Sequence, residues 1–125
     1  CMEGVALSLR HNLEVAKEAG AEVEVLRAMG GSANSFLWTQ IKSDITGKPM
    51  IVPASDTATT LGAALLAGVG VGFYKDYDEA VSLTVKETRR HEPDPENKVI
   101  YDQTYQTYLE IYKSLAHMMT AKQNI

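Results

Sequence analysis

The sequence predicts an α/β fold in which short parallel strands pack against helices. Residues 21–29 begin by alternating apolar and acidic side chains, which is the period of a strand with one buried face. A glycine-containing turn and a helical pattern over about 34–46 follow, and residues 49–54 form a second short apolar run. Strand, helix and strand in this order make a βαβ unit, whose strands are parallel and whose crossover is right-handed.

The first helix is predicted to run from the first positions of the chain to Gly20, which would end it as a C′ glycine. Its apolar face carries, at helical spacing, Val5, Leu9, Leu13 and Ala16. No residue that could act as an N-cap precedes this helix. We therefore expect the chain to start inside an element of a longer protein.

The second helix is predicted over about 34–46, with Gly47 as its stop and Trp38 as its anchor. Its apolar residues at fourfold spacing are Leu37, Ile41 and Ile45. After the second strand, Ser55 or Asp56 can cap a third helix over about 57–69. Close packing is the expected role of the small residues in this helix, Gly62, Ala63, Ala64, Ala67 and Gly68.

The last third of the chain is predicted as a short helix over about 78–85, a polar loop over 86–98 and a long helix over about 98–120. The loop follows from two prolines, each of which disfavours helix in the residue before it. The long helix carries a tyrosine stripe at helical spacing, formed by Tyr101, Tyr105, Tyr108 and Tyr112. A ligand platform is one interpretation of this stripe, but a docking face that belongs to the core is favoured.

Composition argues against several function classes. At 125 residues the chain suits one domain, or one lobe of a larger one. A formal net charge of −4 gives no electrostatic footprint for nucleic acid. The most apolar stretch, residues 61–74, is too short and glycine-rich for a membrane span, and the first residues do not predict a signal peptide. A single cysteine excludes an internal disulfide, and we expect a cytoplasmic protein.

No metal site and no Cys/His catalytic pair is predicted. The three histidines, His11, His91 and His117, are isolated in the sequence and lack metal-ligand spacing. Cys1 has no partner motif, and the acidic residues around 93–96 are interpreted as part of a solvated loop.

The turn Met29–Ser35 is the main candidate for a binding site. It would follow the carboxyl end of the first strand, where α/β units bind ligands and where helix N–H groups favour a phosphate. Glycine lets a ligand approach the backbone, and Asn34 could either cap the helix or bond a ligand. On local sequence alone an ordinary turn capped by Ser32 or Asn34 is favoured, because short glycine motifs have many false positives. The turn matches neither the GxGxxG nor the GxxxxGK[ST] pattern.

Three segments together resemble the C-terminal part of the FGGY carbohydrate kinases, and xylulokinase-type members in particular. They are "EGVALSLRHNLE", "GGSANSFLWTQIKSDITGKPM" and "TLGAALLAGVGVGFYKDYDEAV". The resemblance covers about Met2–Leu115, in the order and spacing of the family. Three ordered motifs are more specific than any one of them.

The resemblance implies a fold and a reaction. FGGY kinases have two domains of the ribonuclease-H-like, actin-like ATPase fold and transfer the γ-phosphoryl group of ATP, with Mg²⁺, to a sugar hydroxyl. Residues 1–125 would be the C-terminal portion of the second, nucleotide-binding domain, without the N-terminal domain that binds the sugar. The catalytic aspartate is expected upstream of this chain, so no residue here is assigned a catalytic role. The fragment alone is expected to be inactive.

The resemblance also implies which residues line the nucleotide. The corresponding turn of the family passes beside ATP or ADP, which assigns nucleotide binding to Gly30, Gly31, Ser32, Ala33 and Asn34. Gly31 and Asn34 fall where glycerol kinases hold the nucleotide with glycine and asparagine. Xylulokinases more often have a third glycine at the position of Ser32 and commonly a basic residue in place of Asn34.

The sequence thus predicts the nucleotide-binding portion of a sugar kinase that acts on a pentulose such as xylulose. The alternatives are a kinase for ribulose, glycerol or gluconate, a non-catalytic nucleotide sensor, or an interaction domain that docks a partner helix on the tyrosine stripe. The oligomeric state of the parent stays open, with a homodimer as one option. Helix capping is the simplest role for Ser55, Asp56 and Thr57. The alternative is a position near the nucleotide without direct contact to it.

Overall fold

Helices pack around a small sheet in the computed structural model, which describes residues 1–54 and 58–120. The predicted α/β class is confirmed. In chain order the elements are α1 (Met2–Glu18), β1 (Leu26–Arg27), a 3₁₀ turn (Gly31–Asn34), α2 (Phe36–Thr46), β2 (Met50–Pro53), α3 (Ala58–Gly70), α4 (Tyr77–Thr84), β3 (Glu87–His91) and α5 (Pro95–Thr120).

The sheet has the strand order β1–β2–β3. β1 is parallel to β2, with Leu26 opposite Met50, so the predicted βαβ unit is confirmed. The predicted extent of the first strand, residues 21–29, is wrong because pairing begins only where the amide of Leu26 donates to the carbonyl oxygen of Pro49 at 2.9 Å. The residues just before Pro49 form the turn that ends α2. Residues 21–25 therefore have no neighbouring strand to pair with.

The predicted loop over residues 86–98 is correct only for residue 86 and residues 92–94. Glu87–His91 form β3, which is antiparallel to β2, and α5 already begins at Pro95. Pro93 keeps Glu92 out of the helical region, and an extended residue after a strand satisfies that restriction. Pro95 lies in the first turn of a helix, where its missing N–H is not needed.

Glycines end the first two helices as predicted. Gly20 has φ +90°, and the amides of Gly20 and Ala21 donate to the carbonyls of Lys17 and Ala16, each at 2.9 Å, which is a Schellman motif. Gly47 ends α2 in the left-handed region, with φ +64°.

Ser35 caps the start of α2, because its hydroxyl accepts the amide N–H of Trp38 at 3.2 Å. The prediction that Ser32 or Asn34 caps this helix is therefore wrong: both belong to the 3₁₀ turn that precedes it. Outside the described residues lie the predicted caps of α3 and their neighbour, Ser55, Asp56 and Thr57.

The main core lies between α1, α2 and α5. Its buried members are Ala6, Leu7, Ile45 and Tyr105, and partly buried side chains pack against them, namely Trp38, Ile41, Tyr101, Tyr108 and Leu109. The anchoring role of Trp38 is confirmed, and so is the core role of the tyrosine stripe at Tyr101, Tyr105 and Tyr108, with Tyr105 only 5% exposed, whereas Tyr112 is 43% exposed. Val5 and Leu37 were expected in the core but are 60% and 62% exposed. The buried side of α1 starts at Ala6, and that of α2 is centred on Thr39, Ser43 and Ile45, away from Leu37.

α3 packs against α4 and the turn that joins them. A Cβ at Gly68 would lie 2.8 Å from Cδ2 and Cε2 of Tyr74, so this ring occupies the space that the glycine leaves. Ala63, Ala64 and Ala67 are exposed, so the close packing predicted for the small residues is seen at Gly68 and not at these alanines. No helix among residues 1–54 and 58–120 combines the length and apolar character that crossing a membrane requires.

Candidate functional site

The glycine turn lies at the edge of the sheet where α/β units ordinarily bind their ligands. β1 ends at Arg27, and the amide of Ala28 still donates to the carbonyl oxygen of Ile51 at 2.9 Å. The chain then leaves the sheet through Gly30 and enters the 3₁₀ turn. Because β1 and β2 are parallel, the turn stands at the carboxyl edge that both strands share.

Gly30 and Gly31 are glycines for different reasons. Gly30 has φ +82° and ψ 178°, a region of backbone conformation that essentially only glycine occupies. Gly31 is not among the glycines with positive φ, and a Cβ built on it would meet no atom within 4 Å. Neither backbone strain nor packing within the described residues therefore requires glycine at position 31. A bare backbone at this position leaves space for a molecule that approaches from outside.

The 3₁₀ turn exposes polar groups on its outer side. Ala33 is only 3% exposed and anchors the turn, with its amide bonded to the carbonyl oxygen of Gly30 at 2.9 Å. Gly31, Ser32 and Asn34 are exposed. The amides of Gly31 and Ser32 precede the first hydrogen bond of the turn, so the turn itself offers them no acceptor. In the part of the chain that the structure describes, no hydrogen bond engages the side chain of Ser32 or Asn34.

Arg89 on β3 holds the turn from behind. Its Nη2 donates to the carbonyl oxygen of Ala33, and its Nη1 lies 3.5 Å from the carbonyl oxygen of Asn34. The guanidinium carbon also stands 5.9 Å from the centre of the Phe36 ring. The five residues assigned to the nucleotide are thus brought together in one turn, and a residue more than fifty positions later fixes its last two carbonyls.

His91 joins β3 to α2 through a buried polar contact that the sequence analysis does not predict. The ring is 2% exposed, with Nε2 lying 2.9 Å from Oγ1 of Thr39 and Nδ1 lying 2.9 Å from Oε1 of Gln40. The amide nitrogen of Gln40 donates to Asp44 and to the carbonyl of Glu92, each at 2.8 Å, so Oε1 faces the histidine. Nδ1 of His91 therefore carries a proton and donates it.

The surroundings of His91 favour the neutral form of its ring. Burial lowers the pKa of the ring, the positive charge of Arg89 lowers it further, and Asp44 opposes them. In the neutral tautomer Nε2 has a free lone pair and is an acceptor for the single hydroxyl proton of Thr39, for which the carbonyl oxygens of Ser35 at 3.0 Å and Phe36 at 2.9 Å compete. The first and second turns of α2 are thus tied to the last residue of β3.

Asp44 continues this network toward α5. Its carboxylate is 3% exposed and accepts three hydrogen bonds, from Gln40, from the amide of Asp94 and from Nδ2 of Asn97. Asp94 in turn accepts the amide of Glu96 and so caps α5. The segment around Pro93 was interpreted as a solvated loop, whereas its backbone is bound at Asp94.

The sequence of β3, Glu87–His91, is entirely polar, so no apolar alternation marks it as a strand. The nearby prolines favoured a loop instead. For Thr39, Gln40 and Asp44 no local pattern exists, because their partners lie about fifty residues away and polar residues on a helix ordinarily face solvent.

The other candidate residues serve packing. His11 meets the ring of Tyr112 edge-on with centroids 4.9 Å apart, and the hydroxyl of Tyr101 donates to Glu3 at 3.0 Å. Cys1 is exposed, and the side chain of His117 lies outside what the structure describes. Among residues 1–54 and 58–120 no group of three or more His, Cys, Asp and Glu side chains is placed to hold a metal ion.

Two pockets in the described residues lie away from the turn. One of about 410 Å³ opens between α1, residues 21–24 and the end of α2, at the amino ends of the strands. Another of about 230 Å³ follows the end of β2, between Pro53, Leu61 and Lys86. The glycine turn lines neither of these two pockets.

Residues 1–71 match the C-terminal domain of the FGGY family of carbohydrate kinases. The chain belongs to this family. Residues 1–71 contain α1, the parallel strands β1 and β2, the glycine turn, α2 and α3.

Three relatives of this FGGY chain illustrate the range of the family. The autoinducer-2 kinase of Enterobacter sp. (strain 638) is 38% identical over 111 residues, which are 88% of this chain and 21% of the relative. The crystal structure of xylulose kinase from Rhodospirillum rubrum has a TM-score of 0.81 and 27% identity, over 94% of this chain and 24% of that one. Plasmodium falciparum glycerol kinase with ADP has a TM-score of 0.74 and 26% identity, over 87% of this chain and 22% of that one.

The chain spans about a fifth of the length of the relatives it matches. These relatives are kinases whose names give three different acceptors: autoinducer-2, xylulose and glycerol. The family is therefore fixed, whereas the acceptor is not.

Proposed function

We propose that this chain forms one wall of the nucleotide site in the second domain of an ATP-dependent carbohydrate kinase. Gly30, Gly31, Ser32, Ala33 and Asn34 line ATP or ADP in this proposal. The observation that carries it is Gly31, whose exposed backbone at the carboxyl edge of the sheet has no structural need for glycine. A nucleotide lying against that backbone supplies the missing reason.

The residues of the turn suit an electron-rich, planar and anionic ligand. The unpaired backbone N–H groups of Gly31 and Ser32 are donors. The side-chain amide of Asn34 offers two donors and an acceptor for base or ribose atoms. Arg89 adds a positive charge behind the turn. Mg²⁺ would be held by phosphate oxygens and by groups elsewhere in the parent, since the described residues contribute no cluster for it.

Phosphoryl transfer depends on positioning and on electrostatic stabilisation, and ATP itself supplies the phosphoryl group. The role of this chain is to bind and orient the nucleotide. In our proposal the base that activates the sugar hydroxyl and the sugar-binding domain belong to the rest of the parent, and the isolated chain is inactive. The acceptor is a pentulose such as xylulose, in a cytoplasmic enzyme whose lobes close to exclude water.

A pair of glycine substitutions in the full-length protein that carries this chain tests the proposal. At both Gly31 and Gly4 a Cβ would meet no atom within 4 Å, so neither Gly31→Ala nor Gly4→Ala is expected to disturb the fold. Gly31→Ala places a methyl group where the nucleotide lies and should raise the KM for ATP about tenfold, equivalent to about 1.4 kcal/mol. The KM for the sugar should stay the same, and Gly4→Ala should leave both constants unchanged. Equal ATP constants for the two variants would contradict the proposal.

A further inference from the structure

We propose that Arg89 is the positioning residue of the nucleotide turn. By holding the carbonyl oxygens of Ala33 and Asn34, it fixes the outer face of the turn in the orientation that meets the nucleotide. This inference rests on the proposed function and adds to it a residue from β3, outside the turn and outside residues 1–71, which match the family domain.

The geometry of the contact is that of a clamp. The carbonyls at the end of a short helix lack partners within it, and the last two residues of this 3₁₀ turn are Ala33 and Asn34. The planar guanidinium presents its two terminal nitrogens to these two oxygens. A rotation of the turn would break both contacts, so Arg89 restricts the direction in which the Asn34 amide and the Gly31 backbone face.

Arg89 is itself rigidly placed. Its backbone pairs with Val52 in the centre of the sheet, and its guanidinium stands beside the Phe36 ring at the start of α2. The side chain thus links three elements that meet at the carboxyl edge: the sheet, the turn and the first residue of α2.

Stability alone is a poor explanation for an arginine at this position. Its Nε is buried and lacks a hydrogen-bond partner in the part of the chain that the structure describes, which is unfavourable. Among the described residues Arg89 forms no ion pair, and Glu87 on the same strand pairs with Arg27 instead, at 3.6 Å. Within the described residues no carboxylate neutralises the guanidinium charge, which adds to the attraction of the turn for phosphate.

Arg90 provides a matched control. It is the next residue on the same strand, it is exposed, and its side chain pairs with Glu92 and not with the turn. Removal of either guanidinium changes the net charge by the same amount. Only removal of Arg89 releases the carbonyls of Ala33 and Asn34.

The test uses Arg89→Met, Arg89→Lys and Arg90→Met in the full-length protein that carries this chain, with kcat, both KM values and the melting temperature as readouts. Arg89→Met should raise the KM for ATP about tenfold, the change that corresponds to about 1.4 kcal/mol. The sugar KM should change less than about twofold, a shift below about 0.4 kcal/mol by the same conversion. Arg89→Lys restores the charge with a single nitrogen and should give an intermediate ATP constant, while Arg90→Met should match the wild type.

The inference is overturned if Arg89→Met and Arg90→Met have the same ATP constant, or if Arg89→Met shifts the ATP and sugar constants equally. Should Arg89→Met fail to fold, the split between the two constants in Arg89→Lys decides in the same way. Gly31→Ala separates the two levels of the argument. If the KM for ATP is raised in Gly31→Ala but equals the wild-type value in Arg89→Met and Arg89→Lys, only the positioning role of Arg89 is overturned. If it equals the wild-type value in all three variants, the assignment of the turn to the nucleotide is overturned as well.

Discussion

Replacing Asp44 with alanine removes an acceptor that receives hydrogen bonds from its own helix, α2, and from the start of α5. The carboxylate, 3% exposed, accepts Nε2 of Gln40 and the amide of Asp94 at 2.8 Å and Nδ2 of Asn97 at 3.0 Å. A hydrogen bond of this kind contributes about 1 kcal/mol net, and more when the acceptor is charged and buried. Gln40 and Asn97 reach solvent and regain part of their bonding there. We therefore expect Asp44→Ala to lower the free energy of unfolding by about 3 kcal/mol.

Urea unfolding followed by circular dichroism measures this loss, and it should appear in a thermal melt as a decrease of about 10 °C. The control is Asp78→Ala, since Asp78 is an exposed aspartate in the first turn of α4 and its replacement should change stability by less than about 0.5 kcal/mol. A loss for Asp44→Ala below about 1 kcal/mol, or equal to that of the control, would refute the idea that this network joins α2 to α5.

Two further predictions concern His91 and Gly68. Burial lowers the folded-state pKa of His91 below its ordinary value of about 6.5, so the unfolded state binds more protons and stability should fall as the pH drops below about 6.5. His91→Gln should lack this slope in unfolding curves between about pH 7 and pH 5, and an unchanged slope would show that another group titrates. Gly68→Ala forces a Cβ to within 2.8 Å of the Tyr74 ring. This variant should be less stable by about 2 kcal/mol than Gly62→Ala, a substitution in the same helix whose Cβ would have no atom within 4 Å. Equal unfolding free energies for the two alanine variants would mean that the ring moves aside freely.

Local signals in the sequence predict most of the helices and the parallel strand pair. Gly20 and Gly47 end helices in the left-handed region, which their type and position indicate directly. The apolar run before Pro53 and the spacing of the tyrosines on α5 also lead to the correct elements. These features succeed because each depends on neighbours within a few residues.

The failures share a different cause. β1 is short because its length is set by where β2 begins, and β3 is a strand because β2 has a free edge for residues 87–91 to pair with. The network of Thr39, Asp44 and His91 depends on partners about fifty residues apart, so no window of the sequence contains it. Arg89 went unnoticed for the same reason, since its target carbonyls carry no side-chain signature.

The candidate site could be assigned from sequence only through the family resemblance, because the turn is locally an ordinary one. The structure adds the physical distinction between its two glycines. Gly30 is required by its backbone conformation, whereas Gly31 is required by nothing in the described residues. That distinction makes position 31 the most informative place to probe.

Amide hydrogen–deuterium exchange of the full-length protein, with and without Mg·ADP, tests the central claim most directly. The account predicts that saturating Mg·ADP slows exchange in peptides that cover residues 29–35, and that Gly31→Ala needs a higher ADP concentration for the same protection. Saturable ADP binding that protects other segments, such as those lining the 410 Å³ pocket, while leaving residues 29–35 unchanged would contradict it.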